Sequence, residues 1–286
     1  MQNNRIKQDF HMHCRFSTDS QAAPEAMCEA AIARGLTEIC FTDHQDFGLD
    51  DPTLFRFNPD AYFKELEPLR MAFADRLTVH IGVEIGLIPD DPRLAREAEA
   101  LVRDYPWDFI IGSTHQIPIR SNGLTRYVDP ASPAEAPRIW QQFESVKALM
   151  SVYFETVLKN LEQFDFCDTV GHIDYLIRYL PKMLRCAPAA LLPYRYEEHE
   201  AQIDSILRTA IRKGTAIEVN TGGLRKELHQ TNPEDRIIRR YLALGGKKLT
   251  YGSDAHSPEH VGYGFALLPD YGNSAEMESV LPREQH

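Results

Sequence analysis

A chain of 286 residues, 43% of them hydrophobic, can bury a sizeable core and has the length of a single α/β barrel, which commonly needs roughly 250 residues. Its formal net charge of −11 repels nucleic-acid phosphates unless a basic groove overrides it, so no nucleic-acid partner is expected. No run of about 18 apolar residues marks a membrane span, no apolar signal segment follows Met1-Gln2-Asn3-Asn4-Arg5, and Cys14, Cys28, Cys40, Cys167 and Cys186 form no Cys-x-x-Cys pair, so the pattern predicts a cytoplasmic protein with reduced thiols.

The first strand is expected from about Ile6 to His13. Alternation along it places His11 and His13 on one face, about 7 Å apart, where they can hold one divalent ion, and Phe10 and Met12 on the other. Asp19 follows after a polar turn. A helix from Pro24 to Arg34 should stop at Gly35. Strand two, Glu38 to Thr42, ends at Asp43-His44. Asn58 is placed to cap a helix over Pro59 to Ala74. Strand three, Leu77 to Val83, ends at Glu84, and a charged helix spans Pro92 to Asp104.

Strand four, Asp108 to Gly112, ends at Ser113-Thr114-His115. Residues Ile117 to Pro137 read as a long loop and Arg138 to Gln163 as one long helix. Strand five, Cys167 to Gly171, ends at His172. An irregular stretch from Asp174 to Pro193 precedes a helix over Glu197 to Arg212. Strand six, Thr215 to Val219, ends at Asn220. Asn232 and Pro233 are expected to open the next helix, which closes at Gly245-Gly246. Strand seven, Lys248 to Gly252, ends at Ser253-Asp254-Ala255-His256, and the chain beyond Leu281 is expected to be loose.

Alternating strands and helices predict a mainly parallel sheet. Seven units suit a single α/β domain over residues 1–286, a (β/α)7 barrel with its core over about 5–268. Functional groups would then gather at the C-terminal ends of the strands. An open doubly wound sheet is the alternative, but it spreads those groups along a line. The candidate metal ligands are His11, His13, Asp19, His44, Glu84, His115, His172, Asp254 and His256. They include six of the eleven histidines. Imidazole and carboxylate without thiolate suit zinc, manganese or iron, and nine ligands exceed what one tetrahedral ion uses.

The ordered motifs Asp9-Phe10-His11-Met12-His13, Phe41-Thr42-Asp43-His44, Gly82-Val83-Glu84, Gly112-Ser113-Thr114-His115, Gly171-His172, Glu218-Val219-Asn220 and Gly252-Ser253-Asp254-Ala255-His256 resemble the PHP superfamily, and within it the histidinol-phosphate phosphatases. The resemblance implies a distorted (β/α)7 barrel with two to three divalent ions. It implies a first ion on His11, His13, Glu84 and Asp254, a second on Glu84, His115 and His172 with Glu84 as bridge, and a third on Asp19, His44 and His256. Many members carry His where this chain has Asp19, which bears on the third ion.

The implied activity is hydrolysis of a small phosphomonoester, L-histidinol phosphate first, by a hydroxide held between ions. Glu84 and Asp254 are the expected catalytic ligands. Arg178, Arg225 and Asn220 are expected at the phosphate. The general acid is open among His229, Asp174 and a metal-bound water. Other phosphate esters, nucleotides among them, are the second reading, and a non-catalytic metal-binding regulator is the third. A homo-oligomer is compatible with the sequence. His80 is expected in the core or behind the ligands, and His199, His229 and His260 at the surface. Trp107 and Trp140 should pack. Tyr175, Tyr179, Tyr194 and Tyr196 can wall a pocket or pack their loop.

Overall fold

The structure is a computed structural model and describes residues 6–271 other than 50, 52, 122, 133, 188 and 189. The tail beyond Leu281 lies outside the described residues. The strands are β1 (Gln8–Met12), β2 (Glu38–Phe41), β3 (His44–Asp46), β4 (Thr78–Ile81), β5 (Val83–Gly86), β6 (Ile110–Ser113), β7 (Ile117–Ser121), β8 (Leu124–Val128), β9 (Thr169–Val170), β10 (Ala216–Asn220) and β11 (Leu249–Gly252). All pair in parallel except β7 with β8. One sheet runs β1-β2-β4 and another β11-β10-β9-β6-β5-β3.

The two sheets are segments of one circuit. Strands β2 and β3 are successive parts of one run, as are β4 and β5. Gly82 marks the second break, where an added Cβ would lie 2.5 Å from the Phe109 carbonyl oxygen and 2.7 Å from Cys40 Sγ. At the far seam Asp254 N donates to His11 O at 2.8 Å and His13 N to Ala255 O at 2.7 Å. The seven expected strands therefore follow each other around a distorted ring, although no uninterrupted ladder closes it.

The helices are α1 (Pro24–Ala33), α2 (Pro59–Phe73), α3 (Pro92–Asp104), α4 (Ala136–Gln142), α5 (Val146–Gln163), α6 (Leu180–Arg185), α7 (Glu200–Lys213) and α8 (Asp235–Ala243). Proline stands at the first turn of α1, α2 and α3, where its missing N–H costs nothing. Asn58 caps α2 by accepting from Ala61 N at 3.1 Å. Two large apolar clusters fill the space between helices and strands, one built on α5, α7 and α8 and the other on α1, α2 and α3.

Several expectations are corrected. The stretch from Ile117 contains the antiparallel hairpin β7–β8 rather than a continuous loop, because Ile117 and Ile119 alternate into the core under Val128. The long helix is two, since the chain turns extended at Phe143 and Ser145, and the Ser145 hydroxyl caps α5 through Ala148 N. Asn232 does not cap α8: it ladders with Asn220, precedes a cis Pro233, and Glu234 takes the cap position without a side-chain bond. The β1 register shifts between Asp9 and Met12. Phe10 therefore joins Cys40, Phe109 and Ile111, while Met12 joins the α1 cluster, instead of sharing one face.

Candidate metal centre and cleft

Alternation on β1 and the seam with β11 bring the first four groups together. His11 Nε2 lies 3.1 Å from His13 Nε2, 3.2 Å from Glu84 Oε2 and 3.8 Å from Asp254 Oδ1. His13 Nε2 is 3.6 Å from both carboxylates. Ligand atoms around a tetrahedral ion with 2.0–2.1 Å bonds are about 3.3 Å apart, so the spacing suits one ion. Asp254 sits at φ 54°, a left-handed backbone that short polar residues tolerate and that recurs where a side chain must be aimed.

Glu84 faces two ways. Its Oε1 is 3.0 Å from His115 Nε2, 3.0 Å from His172 Nε2 and 2.6 Å from Ser113 Oγ. Its Oε2 meets His11, His13 and, at 3.0 Å, His44 Nδ1, because His44 of β3 is the register partner of Glu84 on β5. His256 Nε2 lies 3.1 Å from Asp19 Oδ2, and His44 Nε2 lies 3.9 Å from the same oxygen. Asp46, two residues after His44, bonds His115 Nδ1 at 2.9 Å. Burial alone would raise Glu84, but His11, His115 and His44 hold its carboxyl well below the usual range. Burial likewise works against an ionised Asp254, and His11, His13 and Arg178 outweigh it. Burial, with His256 and His44 nearby, pushes His13 well below the usual imidazole value.

The rings of His11 and His13 are held from behind. Ser17 Oγ donates its one proton to Asp43 Oδ1 at 2.7 Å, so it can only accept from His13 Nδ1 at 3.0 Å. Glu218 Oε1 lies 2.5 Å from His11 Nδ1. The Nε2 atoms of His11 and His13 face each other at 3.1 Å among the carboxylates of Glu84 and Asp254, and against the cost of burial Glu218, Glu84 and Asp254 raise the His11 imidazole well above its usual value. Glu84 Oε2, His44 Nδ1 and Asp46 Oδ1 are buried without a hydrogen-bond partner. Buried polar atoms left without a partner cost free energy, and a cation among them offsets that cost. The donor set, nitrogen and oxygen with no sulfur, fits divalent metal ions.

Beside this cluster opens a cleft of about 310 Å³. His44, His115, His172, Asp254 and His256 form its floor, and Asp129, Tyr175, Tyr179, Arg178, Arg225 and Lys226 its walls. Arg178 Nη1 bonds Asp254 Oδ2 at 2.8 Å and Nε bonds Asn232 Oδ1 at 3.0 Å. Arg225 spends one N–H of each terminal nitrogen on the carbonyls of Ser253 and Asp254. Burial and the Arg178 charge lower the Lys226 ammonium. Burial raises the Asp129 carboxyl to about 6.

A family model for the PHP domain matches residues 9–222. The chain belongs to the PHP domain family. It falls in the histidinol-phosphatase branch: the histidinol-phosphatase of Lactococcus lactis is 32% identical over 254 residues, covering 87% of this chain and 84% of that one. The Bacillus subtilis histidinol-phosphatase is 24% identical over 278 residues, covering 91% and 97%. The crystal structure of the Lactococcus lactis histidinol phosphate phosphatase, complexed with zinc, L-histidinol and phosphate, superposes with a TM-score of 0.74 at 25% identity, over 97% of this chain and 99% of that one. A Listeria monocytogenes chain with a TM-score of 0.76 and 21% identity, covering 91% and 99%, shares the fold.

Within this PHP fold, some expected residues lie elsewhere. Asn220 is buried and does not line the cleft. Its Nδ2 faces Glu218 and Asp254 and its Oδ1 accepts from Gly222 N and Arg178, which leaves nothing for a phosphate. Asp174, a candidate acid, is buried between Asn232 Nδ2 at 2.6 Å and Glu234 N at 3.0 Å. His229 is exposed and bonds Leu224 O. Neither lines the cleft. His80 pairs with Glu38 and packs on Phe10, away from the ligands. His199 is buried, not at the surface, because it stacks on Tyr194 and packs against Phe154. His260 is half-buried at the cleft and bonds Ser257 Oγ. Tyr194 and Tyr196 pack their segment, while Trp107 and Trp140 are buried.

Asp46 and Asp129 escaped the search of strand ends, while Glu218 and Lys226 stand within the motif Glu218 to Lys226 that resembles the family but received no role from it. The signal for Glu218 is a carboxylate in the middle of the apolar strand Ala216-Ile217-Glu218-Val219, since buried charges persist only when paired.

No helix among the described residues is long and apolar enough to cross a membrane.

Proposed function

We propose that this chain is a metal-dependent phosphomonoesterase that hydrolyses L-histidinol phosphate to L-histidinol and phosphate, a step of histidine biosynthesis. The convergence of His11 Nε2 and His13 Nε2, 3.1 Å apart, with the carboxylates of Glu84 and Asp254 carries the metal part of this reading. The substrate follows from the likeness to the Lactococcus lactis enzyme.

In this reading His11, His13, Glu84 and Asp254 hold one ion, and Glu84 with His115 and His172 a second. Asp19, His44 and His256 form a third, more open position. Zinc is the first candidate, with manganese and iron compatible. Bound there, divalent ions lower the pKa of water and offset charge on phosphoryl oxygens.

The remaining tasks belong to side chains. Arg178, locked on Asp254, keeps that carboxylate aimed and presents positive charge to the cleft. Arg225 and Lys226 add charge at the opening, where they orient the phosphate. Asp129 stands across the cleft and meets the cationic end of the substrate. Tyr175 and Tyr179 offer ring faces to an imidazole.

The test is turnover of L-histidinol phosphate against a panel of nucleoside monophosphates, sugar phosphates and p-nitrophenyl phosphate. The expected result is the highest kcat/KM for histidinol phosphate. A faster ester of another class would overturn the substrate while keeping the chemistry.

A further inference from the structure

Resting on that metal reading, we propose that Glu218 is a positioning residue shared by two ligands. One carboxylate fixes the ring of His11 and the backbone of His172. Glu218 Oε1 lies 2.5 Å from His11 Nδ1. Glu218 Oε2 accepts from His172 N at 2.7 Å. Both oxygens are buried, with the side chain 1% exposed. His11 belongs to the first group of donors and His172 to the second, so the two oxygens of Glu218 tie strand β1 to the chain just beyond β9, behind the cluster.

A carboxylate suits this place for a stated reason. Both contacts need an acceptor, and an ionised carboxylate accepts on both oxygens. A glutamine accepts on one only. Turned with oxygen toward His11, its NH2 confronts the His172 N–H. Turned the other way, it donates to His11 Nδ1, which shifts the ring proton to Nε2 and removes the lone pair an ion needs. Carboxylates that fix metal-bound imidazoles in this manner tune affinity.

Neighbouring residues enforce the geometry. Asn220 Nδ2 donates to Glu218 Oε1 at 3.1 Å. Gly252, on the adjacent strand, leaves the space: an added Cβ would lie 2.4 Å from Glu218 Oε1 and 2.4 Å from His11 Cβ. A residue larger than glycine at 252 would push this pair apart. The Gly252-Ser253-Asp254 motif therefore serves the carboxylate behind the ligands as well as Asp254 itself.

The experiment uses the full chain loaded with zinc, dialysed against graded chelator, with zinc per chain as the readout. Glu218→Gln and Glu218→Asp are compared with the unaltered protein, and the melting of each metal-free form is recorded. Both variants should lose zinc at about 10- to 100-fold lower chelator strength, because Asp keeps the charge but is one methylene too short to reach both partners. Equal zinc retention by Glu218→Asp and the unaltered protein would overturn the positioning role. Should the Gln variant fail to fold, the Asp variant decides. Should both fail, histidine-labelled nitrogen spectra of the unaltered zinc-loaded protein decide. A His11 Nδ1 proton, hydrogen-bonded and slow to exchange, is expected, and its absence overturns the proposal. An unaltered protein that binds no zinc, manganese or iron would overturn the metal reading and this inference together. Retention by both the unaltered and variant proteins would overturn the inference alone.

Discussion

The two sides of the cleft are built differently. On the metal side the groups around Glu84 stand on strands or within two residues of their ends, and three of the rings are oriented twice. His13 is fixed by β1 and by Ser17, His115 by the end of β6 and by Asp46, and His11 by β1 and by Glu218. On the substrate side the groups stand on irregular chain. Asp129 follows the hairpin, Tyr175 and Arg178 lie in a 3-10 turn, and Arg225 closes another. Chemistry that tolerates little displacement sits on the sheet, and recognition sits on segments that can differ without disturbing it.

That contrast can be broken most severely at the hinge of the metal side. Glu84→Ala or His13→Ala should lower kcat/KM by at least about 10³-fold, with far-UV circular dichroism unchanged and bound metal reduced. Retained turnover in either variant would remove its assigned role.

Arg178 joins the two sides. Arg178→Met leaves the Asp254 charge buried without its partner. In metal-free protein this should cost about 3 kcal/mol of stability, read as a lower denaturant midpoint, and the metal-loaded enzyme should lose about 10²-fold in kcat/KM.

Recognition of the cationic end is probed at Asp129, which also lies in the field of His115, Asp46 and His44. Asp129→Asn should raise KM for histidinol phosphate about tenfold and leave p-nitrophenyl phosphate, which has no cationic end, unaffected. The carboxyl is raised to about 6, so it is ionised above that pH and neutral below. In the unaltered enzyme KM for histidinol phosphate should rise at acid pH, with the step below about 6 because ions held beside His115 and His44 favour the ionised carboxylate, and the Asn variant should lack that step.

The smallest effect is expected at Asp19, whose side chain is 43% exposed. Asp19→His exchanges one competent ligand for another. Affinity of the third position should change within about tenfold, measured by metal titration.

The same contrast governs what could be read from the sequence. Strand alternation and the recurrence of His, Glu and Asp at strand ends made the metal side legible, because period-two geometry turns spacing into direction. The substrate side was legible only where charge stood close to a motif, as with Arg178 and Arg225. Asn220 was misjudged because its place at a strand end says nothing about its partners, and its amide is consumed by Glu218, Asp254, Gly222 and Arg178. Glu218 stood in a motif without a role because its partners, His11 and His172, are distant in sequence. The hairpin β7–β8 was hidden by polar turn residues, although Ile117 and Ile119 already carried its alternation.

The most direct test strips the protein with chelator and returns zinc in known equivalents while phosphate release from L-histidinol phosphate is followed. Activity should be absent from the stripped protein and return with the second equivalent, as expected if Glu84 bridges two ions. Full hydrolysis by protein that holds no divalent ion would show that the cluster of His11, His13, Glu84 and Asp254 is not a metal centre for this reaction.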